Sequence, residues 1–492
     1  MDEKKKDRGF FGQPIGLRTL FLTEFWERFS YYGMRAILLF YMYYAIDKGG
    51  LGMNQVTAAS VMSIYGSLVY MSSVIGGYIS DRILGARRTV FWGGVLIMLG
   101  HIALSFPLGE AGLFLSIGLI TIGTGLLKPN VSEMVGGLYT DDDPRRDSGF
   151  SIYVMGINLG SLIAPQAVNS MWHHFSFHAG FSLAAIGMFI GLIVYWWDGR
   201  RYLPESSLHA PDPISGSELK KFYRRVAYGV IAIIVIVAIM AFAKALTVDN
   251  FIVILSILGI ALPVGYFVMM LTSKKVTKVE RSRVIAYIPL FIAAAIFWAI
   301  EEQGSVVLAL FAAEQTQLHF ANFSISAPQF QMLNPFFIII YSPIFAWLWL
   351  KLGKRQPSSP SKFWLGLVAT AISYFVLMIP LVGLSSDGKV SPLWLVLSWG
   401  IIEIGEMLIS PVGLSATTKL APKAFSSQMM SMWFLADSAG QAANAQLVKL
   451  FEPGNPSNEM MFFGVTGVVT LVVGIILALL VPKIKPLMKG VN

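Results

Sequence analysis

Residues 23–44 read TEFWERFSYYGMRAILLFYMYY, from Thr23 to Tyr44. The segment is apolar enough to span a bilayer, yet it carries two glutamates and two arginines near its start. On an α-helix Glu24, Arg28, Tyr31 and Arg35 follow i, i+4, i+7 and i+11, with Glu27 one position from that line, so the charges form one stripe. One charge at the centre of a membrane helix costs about 2.5–3.5 kcal/mol. Four facing lipid would cost on the order of 10 kcal/mol, so the stripe must face a polar interior.

The rest of the chain supports a membrane reading. Its 492 residues are 55% apolar and 13% charged, with no cysteine, and the mean hydropathy is strongly positive. A soluble domain carries roughly twice that share of charge. Apolar runs of about 20 residues, the length that spans a hydrocarbon core of about 30 Å, recur from end to end. Fourteen spans are expected, near 17–46, 55–79, 89–107, 112–138, 149–170, 178–198, 226–244, 250–272, 284–312, 330–350, 363–383, 392–414, 425–449 and 460–482. The opening MDEKKKDRGFFGQPIG is too polar for a cleaved signal peptide, so the first span is expected to act as an uncleaved anchor.

The formal charge of +9 raises the question of a nucleic-acid partner, and the placement of the basic residues answers it. They gather in alternate connections: KKKDR, DRILGARR, DPRRD, ELKKFYRR, KKVTKVERSR, KLGKRQPSSPSK, TTKLAPK and KIKPLMK. The opposite loops hold only Lys48, Lys244, Lys389 and Lys449. By the positive-inside rule both termini are cytoplasmic, and the basic balance reports topology, with no nucleic acid implied. The lipid bilayer is the partner of these surfaces, and some of the basic residues are placed to touch anionic headgroups.

The connection at 198–225, rich in Pro, Ser and charge, reads as a linker after span six. The chain therefore divides into 1–198, an N-terminal six-helix bundle; 199–283, the cytoplasmic linker with two inserted helices; and 284–492, a C-terminal six-helix bundle. The two bundles show weak parallels. EFWERF (24–29) and FWAIEEQGS (297–305) pair acids with aromatics in the first helix of each, and Lys128-Pro129 is matched by Glu406 before Pro411 in the fourth. Matching breaks in two halves point to a central site between them.

Away from the loops, Arg28, Arg35 and Lys128 are the basic residues inside spans, and Glu24, Glu27, Glu301, Glu302, Glu403, Glu406 and Asp437 are the deep acids. The plainer alternative is that they form ion pairs that only hold helices together, a role that suits Glu27 and Glu133 best and Glu403 as a packing partner of Glu406. Buried pairs stabilise poorly compared with apolar packing, which favours a functional role for the set. YMYY at 41–44 reads as an interfacial belt. His101, His173, His174, His178, His209 and His319 show no metal spacing. No metal or cofactor is expected. There is no phosphate-binding G-x-x-x-x-G-K-[ST], no H-E-x-x-H and no G-x-S-x-G, which argues against an ATP-driven pump and against an enzyme.

ISDRILGARR (79–88) resembles the loop signature of the major facilitator superfamily, with Gly77, Asp81, Arg82, Gly85, Arg87 and Arg88 in the expected roles. Taken with ExxERFSYYG (24–33), GTGLLKPNVS (123–132), FSIYVMGINLG (150–160), FWAIEEQGS and GEMLISPVGLS (405–415), the chain resembles the proton-dependent oligopeptide transporter (POT) family over essentially its whole length. The inserted pair matches the fourteen-helix prokaryotic form, and the loop at 384–391 is far too short for the extracellular domain of animal members.

The resemblance implies an all-α membrane protein with the major facilitator fold, arranged as 6 + 2 + 6 helices in the cell membrane. It implies uptake of di- and tripeptides with protons by alternating access, working as a monomer. Arg28, Arg35 and Lys128 would meet the peptide carboxylate, and Glu406 with Asn158 and Asn334 would meet the amino group. Tyr31, Tyr32, Tyr70, Trp298, Trp433 and Ser410 would line side-chain pockets, and Glu24, Glu27, Glu301 and Glu302 would couple protons. Ser63 stands at the position of the animal members' proton-relay histidine, so carboxylates must do that work. Glu302 is expected to pair with Arg35 or Lys128 and to hold one gate shut. The same fold could carry nitrate, an amino acid or a peptide-like drug, although an acidic pole suits an amine better than nitrate. A channel and an intramembrane hydrolase are the readings from other classes.

Overall fold

In hydrocarbon no water satisfies backbone N–H and C=O groups, so an apolar chain of this kind folds into helices that bond internally. A computed structural model describes residues 9–490 apart from 141, 142, 144, 386 and 387. The basic run at 4–8 and part of the loop at 384–391 therefore lie outside the described residues. Among the described residues there are fourteen long helices. They are α1 (Gly16–Tyr43), α2 (Gln55–Ile79), α3 (Ala86–Ser105), α4 (Gly109–Gly136), α5 (Arg146–His174), α6 (Phe177–Tyr202) and α7 (Gly216–Phe242). There follow α8 (Val248–Thr272), α9 (Lys278–Glu301), α10 (Leu333–Leu352), α11 (Ser359–Met378), α12 (Leu393–Leu420), α13 (Ser426–Leu447) and α14 (Pro456–Leu487). Twelve of the described helices are long and apolar enough to cross a membrane on composition alone. The two that fall short are α1, which carries the charged stripe, and α13, which carries Asp437, Gln441 and Asn444. Both are packed inside the molecule, where those side chains find partners.

The first six helices pack with one another, chiefly α1 against α5 and α6, and α4 against α2 and α3. In the second bundle α11 packs on α12 and α14. The bundles meet along α2–α13 and α5–α10. At the first seam Ser67 Oγ donates to the Ser438 carbonyl at 2.8 Å and Ser438 Oγ returns a bond to the Ser67 carbonyl at 3.0 Å. Small hydroxyl side chains allow this close approach and satisfy themselves on the facing backbone. Inserted helix α8 lies over this seam, with Gln446 donating to Ser256 Oγ at 3.0 Å, whereas α7 is exposed along most of its length.

Two expectations change. Pro129 and Pro411 sit inside unbroken helices; the break falls instead in α9, where Glu302–Ser305 forms a 3₁₀ turn before the short helix Val307–Glu314. The α9 counterpart in the first bundle, α1, runs uninterrupted. The linker after α6 is also more than a tether. The Asp212 and Ile214 N–H groups donate to the Asp81 and Arg82 carbonyls at 3.1 and 2.9 Å, and Arg82 pairs with Asp212 and Glu218. Gly85 has a φ of +79° and lies so close that a Cβ there would be 2.8 Å from the backbone of Leu208 and His209.

Helix contacts this tight predict a contrast between neighbours. A Cβ on Gly76 would lie 1.8 Å from the Gly125 carbonyl oxygen, whereas one on Gly77 would meet open space. Gly76→Ala is expected to destabilise by about 1–3 kcal/mol and to lower the unfolding midpoint in detergent. Gly77→Ala should leave that midpoint unchanged or raise it.

Candidate functional site

A cavity of about 570 Å³ lies between the two bundles. Tyr32 and Arg35 reach it from α1, Tyr70 from α2, and Asn158 and Ser161 from α5. The second bundle supplies Trp298, Glu301 and Glu302 at the end of α9, Asn334 on α10, Glu406 and Ser410 on α12, and Trp433 on α13. The lining continues to Trp349 and Leu414, near the ends of α10 and α12 that the positive-inside rule assigns to the cytoplasm.

On the other side the bundles are joined. Ser326 Oγ donates to Asn169 Oδ1 at 3.0 Å and lies 3.0 Å from His173 Nε2. Gln329 bonds Gln166, and Gln55 donates to Glu314 at 2.9 Å. The cavity is thus closed outward and open inward.

The break in α9 builds one wall. Gly304 has no room for a Cβ, which would sit 2.2 Å from the Trp399 ring. Its carbonyl accepts from Gln331 Nε2 at 2.8 Å. Gln303 donates to Asn444 Oδ1 at 2.9 Å and accepts from Tyr374, while Asn444 Nδ2 donates to the Ala299 carbonyl at 2.5 Å. Gln331 and Asn444 thus satisfy backbone carbonyls at the break, as buried backbone requires, while Tyr374 braces the turn through the Gln303 side chain. Glu301 and Glu302, at the start of this turn, line the cavity.

Opposite charges meet across the cavity. Arg35 pairs with Glu302 and donates to Ser305 Oγ at 2.9 Å; both charged residues are less than a tenth exposed. This pair joins α1 to the turn after α9. Beyond it, one carboxylate oxygen from each of Glu301, Glu403 and Glu406 lies within 4.8 Å of the others. The Asn334 amide donates to Glu301 and to Glu403 at 2.8 Å each. The cavity therefore has a basic end at Arg35 and an acidic end around Glu406.

The remaining stripe residues stand behind the wall. Arg28 pairs with Glu24 at 3.0 Å and Glu27 at 2.6 Å, all three buried. Tyr31 lies between the arginines, its ring centroid 5.7 Å from the Arg28 guanidinium and 5.9 Å from that of Arg35. Lys128 lies 3.9 Å from the Tyr70 ring centroid and forms no ion pair among the described residues. The structure thus brings Tyr32, Tyr70, Arg35, Asn158, Trp298, Glu301, Glu302, Asn334, Glu406, Ser410 and Trp433 to the cavity itself. Glu24, Glu27, Arg28, Tyr31 and Lys128 form the layer that supports it. Glu403, read from sequence as a packing partner, joins the acidic end. Gln331, in the segment before α10, carries no sequence signal because its role depends on the distant break.

A charged cavity between two helical bundles, sealed at one end and open at the other, belongs to a carrier that exposes its site to one side of the membrane at a time. Residues 87–465 match the POT family. The chain is 52% identical over 484 residues to an uncharacterised transporter of Bacillus subtilis, covering 98% of this chain and 97% of the relative. It is 50% identical over 500 residues to a di-/tripeptide transporter of Lactococcus lactis, covering 99% of each. A crystal structure of a peptide transporter POT in complex with sulfate superposes with a TM-score of 0.95 at 54% identity over 100% of both chains. The chain belongs to the POT family: it is a multi-pass membrane transporter with the major facilitator fold and not an enzyme.

The ion pair across the cavity can be measured. Glu302→Gln leaves the Arg35 guanidinium without its counter-charge, and losing one partner of a buried pair costs about 3–5 kcal/mol before water in the cavity reduces it. The unfolding midpoint should fall. In an Arg35→Gln background the same change should cost less, a coupling of about 1 kcal/mol or more. Additive losses would show that the two charges do not act on one another.

Proposed function

We propose that the protein imports di- and tripeptides together with protons. What supports this most is the pairing of a basic and an acidic end in one cavity. A short peptide is a zwitterion whose constant features are two opposite charges and a backbone, so a site with these ends reads the termini and tolerates varied side chains. An extended tripeptide spans at most about 10–11 Å, and the cavity volume lies within the usual range for small-molecule sites.

In this reading Arg35 takes the peptide carboxylate in two-pronged fashion, with Lys128 adding positive potential from behind Tyr70 and Arg28 doing so from behind Tyr31 when its partners Glu24 and Glu27 carry protons. Glu406 takes the amino group with Asn158 and Asn334, and Tyr32, Trp298, Trp433 and Ser410 form the side-chain pockets. Protonation of Glu302 releases Arg35, loosens the outward seal and frees the guanidinium for the incoming carboxylate. Glu24, Glu27 and Glu301 complete the proton route, and the monomer is the working unit. One proton crossing 100 mV and one pH unit releases roughly 2.3 plus 1.4 kcal/mol, enough for about 10²–10³-fold accumulation.

The test is uptake of labelled dialanine into liposomes containing the purified protein, with and without an inside-negative potential and an inward proton gradient. Gradient-driven accumulation that unlabelled di- and tripeptides compete away is the expected result. Glu406→Ala should lose it. Equal uptake with and without the gradients by folded protein would contradict the proposal and direct the search to nitrate and amino acids.

A further inference from the structure

On the cytoplasmic rim of the first bundle, away from the central cavity, the start of α3 and the end of α6 enclose a hollow of about 300 Å³. Arg87 and Arg88 line it from α3 and Arg200 from α6, with Trp92, Tyr195 and Trp196 between them. None of the three arginines has an ion-pair partner among the described residues. The nearby acids do not supply one: Asp198 is taken by Arg18 at 2.7 Å, and Glu205 on the linker acts on Arg87 only through space. Arg87 and Arg88 also crowd the first turn of α3, which has no acidic residue. The helix dipole is positive there, so like charges accumulate. A bound anion would relieve that repulsion.

The surrounding residues hold the arginines in place. Tyr195 Oη donates to the Arg87 carbonyl at 3.0 Å. The Arg200 guanidinium lies 4.0 Å above the Trp196 ring. Arg87 lies against α6 at Gly199, its Nε 3.7 Å from where a Cβ on that glycine would stand, an ordinary van der Waals contact.

The order of chemistry along the membrane normal identifies the anion. The arginines stand at the cytoplasmic end of α3, and Trp92 lies about one turn, ~5 Å, deeper. Trp92 and Trp196 are 54% and 45% exposed. Charge outermost, indole rings next and acyl chains beyond is the sequence that a phospholipid presents at an interface.

We infer that this hollow binds an anionic phospholipid of the cytoplasmic leaflet, with Arg87, Arg88 and Arg200 on the phosphate and Trp92 and Trp196 beside the glycerol backbone. Free phosphate shares the chemistry of the head, but the exposed indoles have no part in holding it.

The experiment is native mass spectrometry of the full-length protein in detergent, titrated with dioleoylphosphatidylglycerol, dioleoylphosphatidylcholine or inorganic phosphate. The wild-type protein should retain phosphatidylglycerol in preference to phosphatidylcholine, and millimolar phosphate should not displace it. Each arginine near such a surface is worth about a fivefold change in affinity, so Arg87→Gln/Arg88→Gln/Arg200→Gln should bind about a hundredfold more weakly. Lys483→Gln/Lys485→Gln, which removes cytoplasmic charge elsewhere, should bind as the wild type does. If the triple variant does not fold, Arg200→Gln alone decides, with an expected loss of about fivefold. Unchanged phosphatidylglycerol binding in the arginine variants, equal retention of phosphatidylcholine, or displacement by phosphate would each overturn the inference.

Discussion

A charge inside the hydrocarbon layer must find an opposite charge or water, and the contact between Arg35 and Glu302 is where this chain meets that demand across its two halves. Without a partner on the second bundle, Arg35, whose guanidinium stays charged, would have to turn elsewhere or draw in water. With one, α1 is drawn to the centre and its stripe becomes the inner face of the first bundle. The same contact bridges the bundles on the side where Gln55, Gln166 and Asn169 also join them. An interaction that satisfies a buried charge is thereby tied to the closed state of one gate. Such a pair is a weak source of stability, because desolvation offsets most of its attraction, and in the proposed cycle it acts as the switch.

The acids can stand in the right place only because α9 is broken. An unbroken helix would carry Glu302 and Ser305 around its axis and leave no wall at that height. The break frees carbonyls that lipid cannot satisfy, and Gln331, Asn444 and Tyr374 enter from three segments to replace those bonds or brace the turn. This explains why α13, which carries Asn444, is more polar than a lipid-facing helix can be. Function and fold share one network here. Gln331 and Asn444 repair the backbone at the turn that carries Glu301 and Glu302, and Asn334 nearby orients Glu301 and Glu403.

Much of this was legible in the sequence. The length of the apolar runs fixed the helices, and the alternation of Lys and Arg fixed their orientation. The stripe of α1 identified the interior even though that helix fails a simple hydropathy test. Helix periodicity states which face a residue occupies but not how far along the cavity it stands. Arg28 and Arg35 share the stripe, yet Arg28 is paired with Glu24 and Glu27 in the supporting layer while Arg35 reaches the cavity. Lys128 is likewise screened by Tyr70. The break in α9 was not legible, because FWAIEEQGS contains no proline and the bonds that stabilise the turn come from residues far along the chain. Glu403 was read as a deep acid and a packing partner of Glu406, and the structure adds a contact that sequence spacing does not carry, the Asn334 amide of another helix.

The central claim is that the Arg35–Glu302 pair holds the outward gate shut, and a distance across that gate tests it directly. The chain has no cysteine, so spin labels can be placed by Ile46→Cys and Val382→Cys, both exposed on the outer rim of opposite bundles. Double electron–electron resonance on this pair should show mainly a short distance at neutral pH without peptide. Glu302→Gln should shift the population to longer distances, as should acid with dialanine on the native carboxylate. A distribution that Glu302→Gln leaves unchanged would contradict the account.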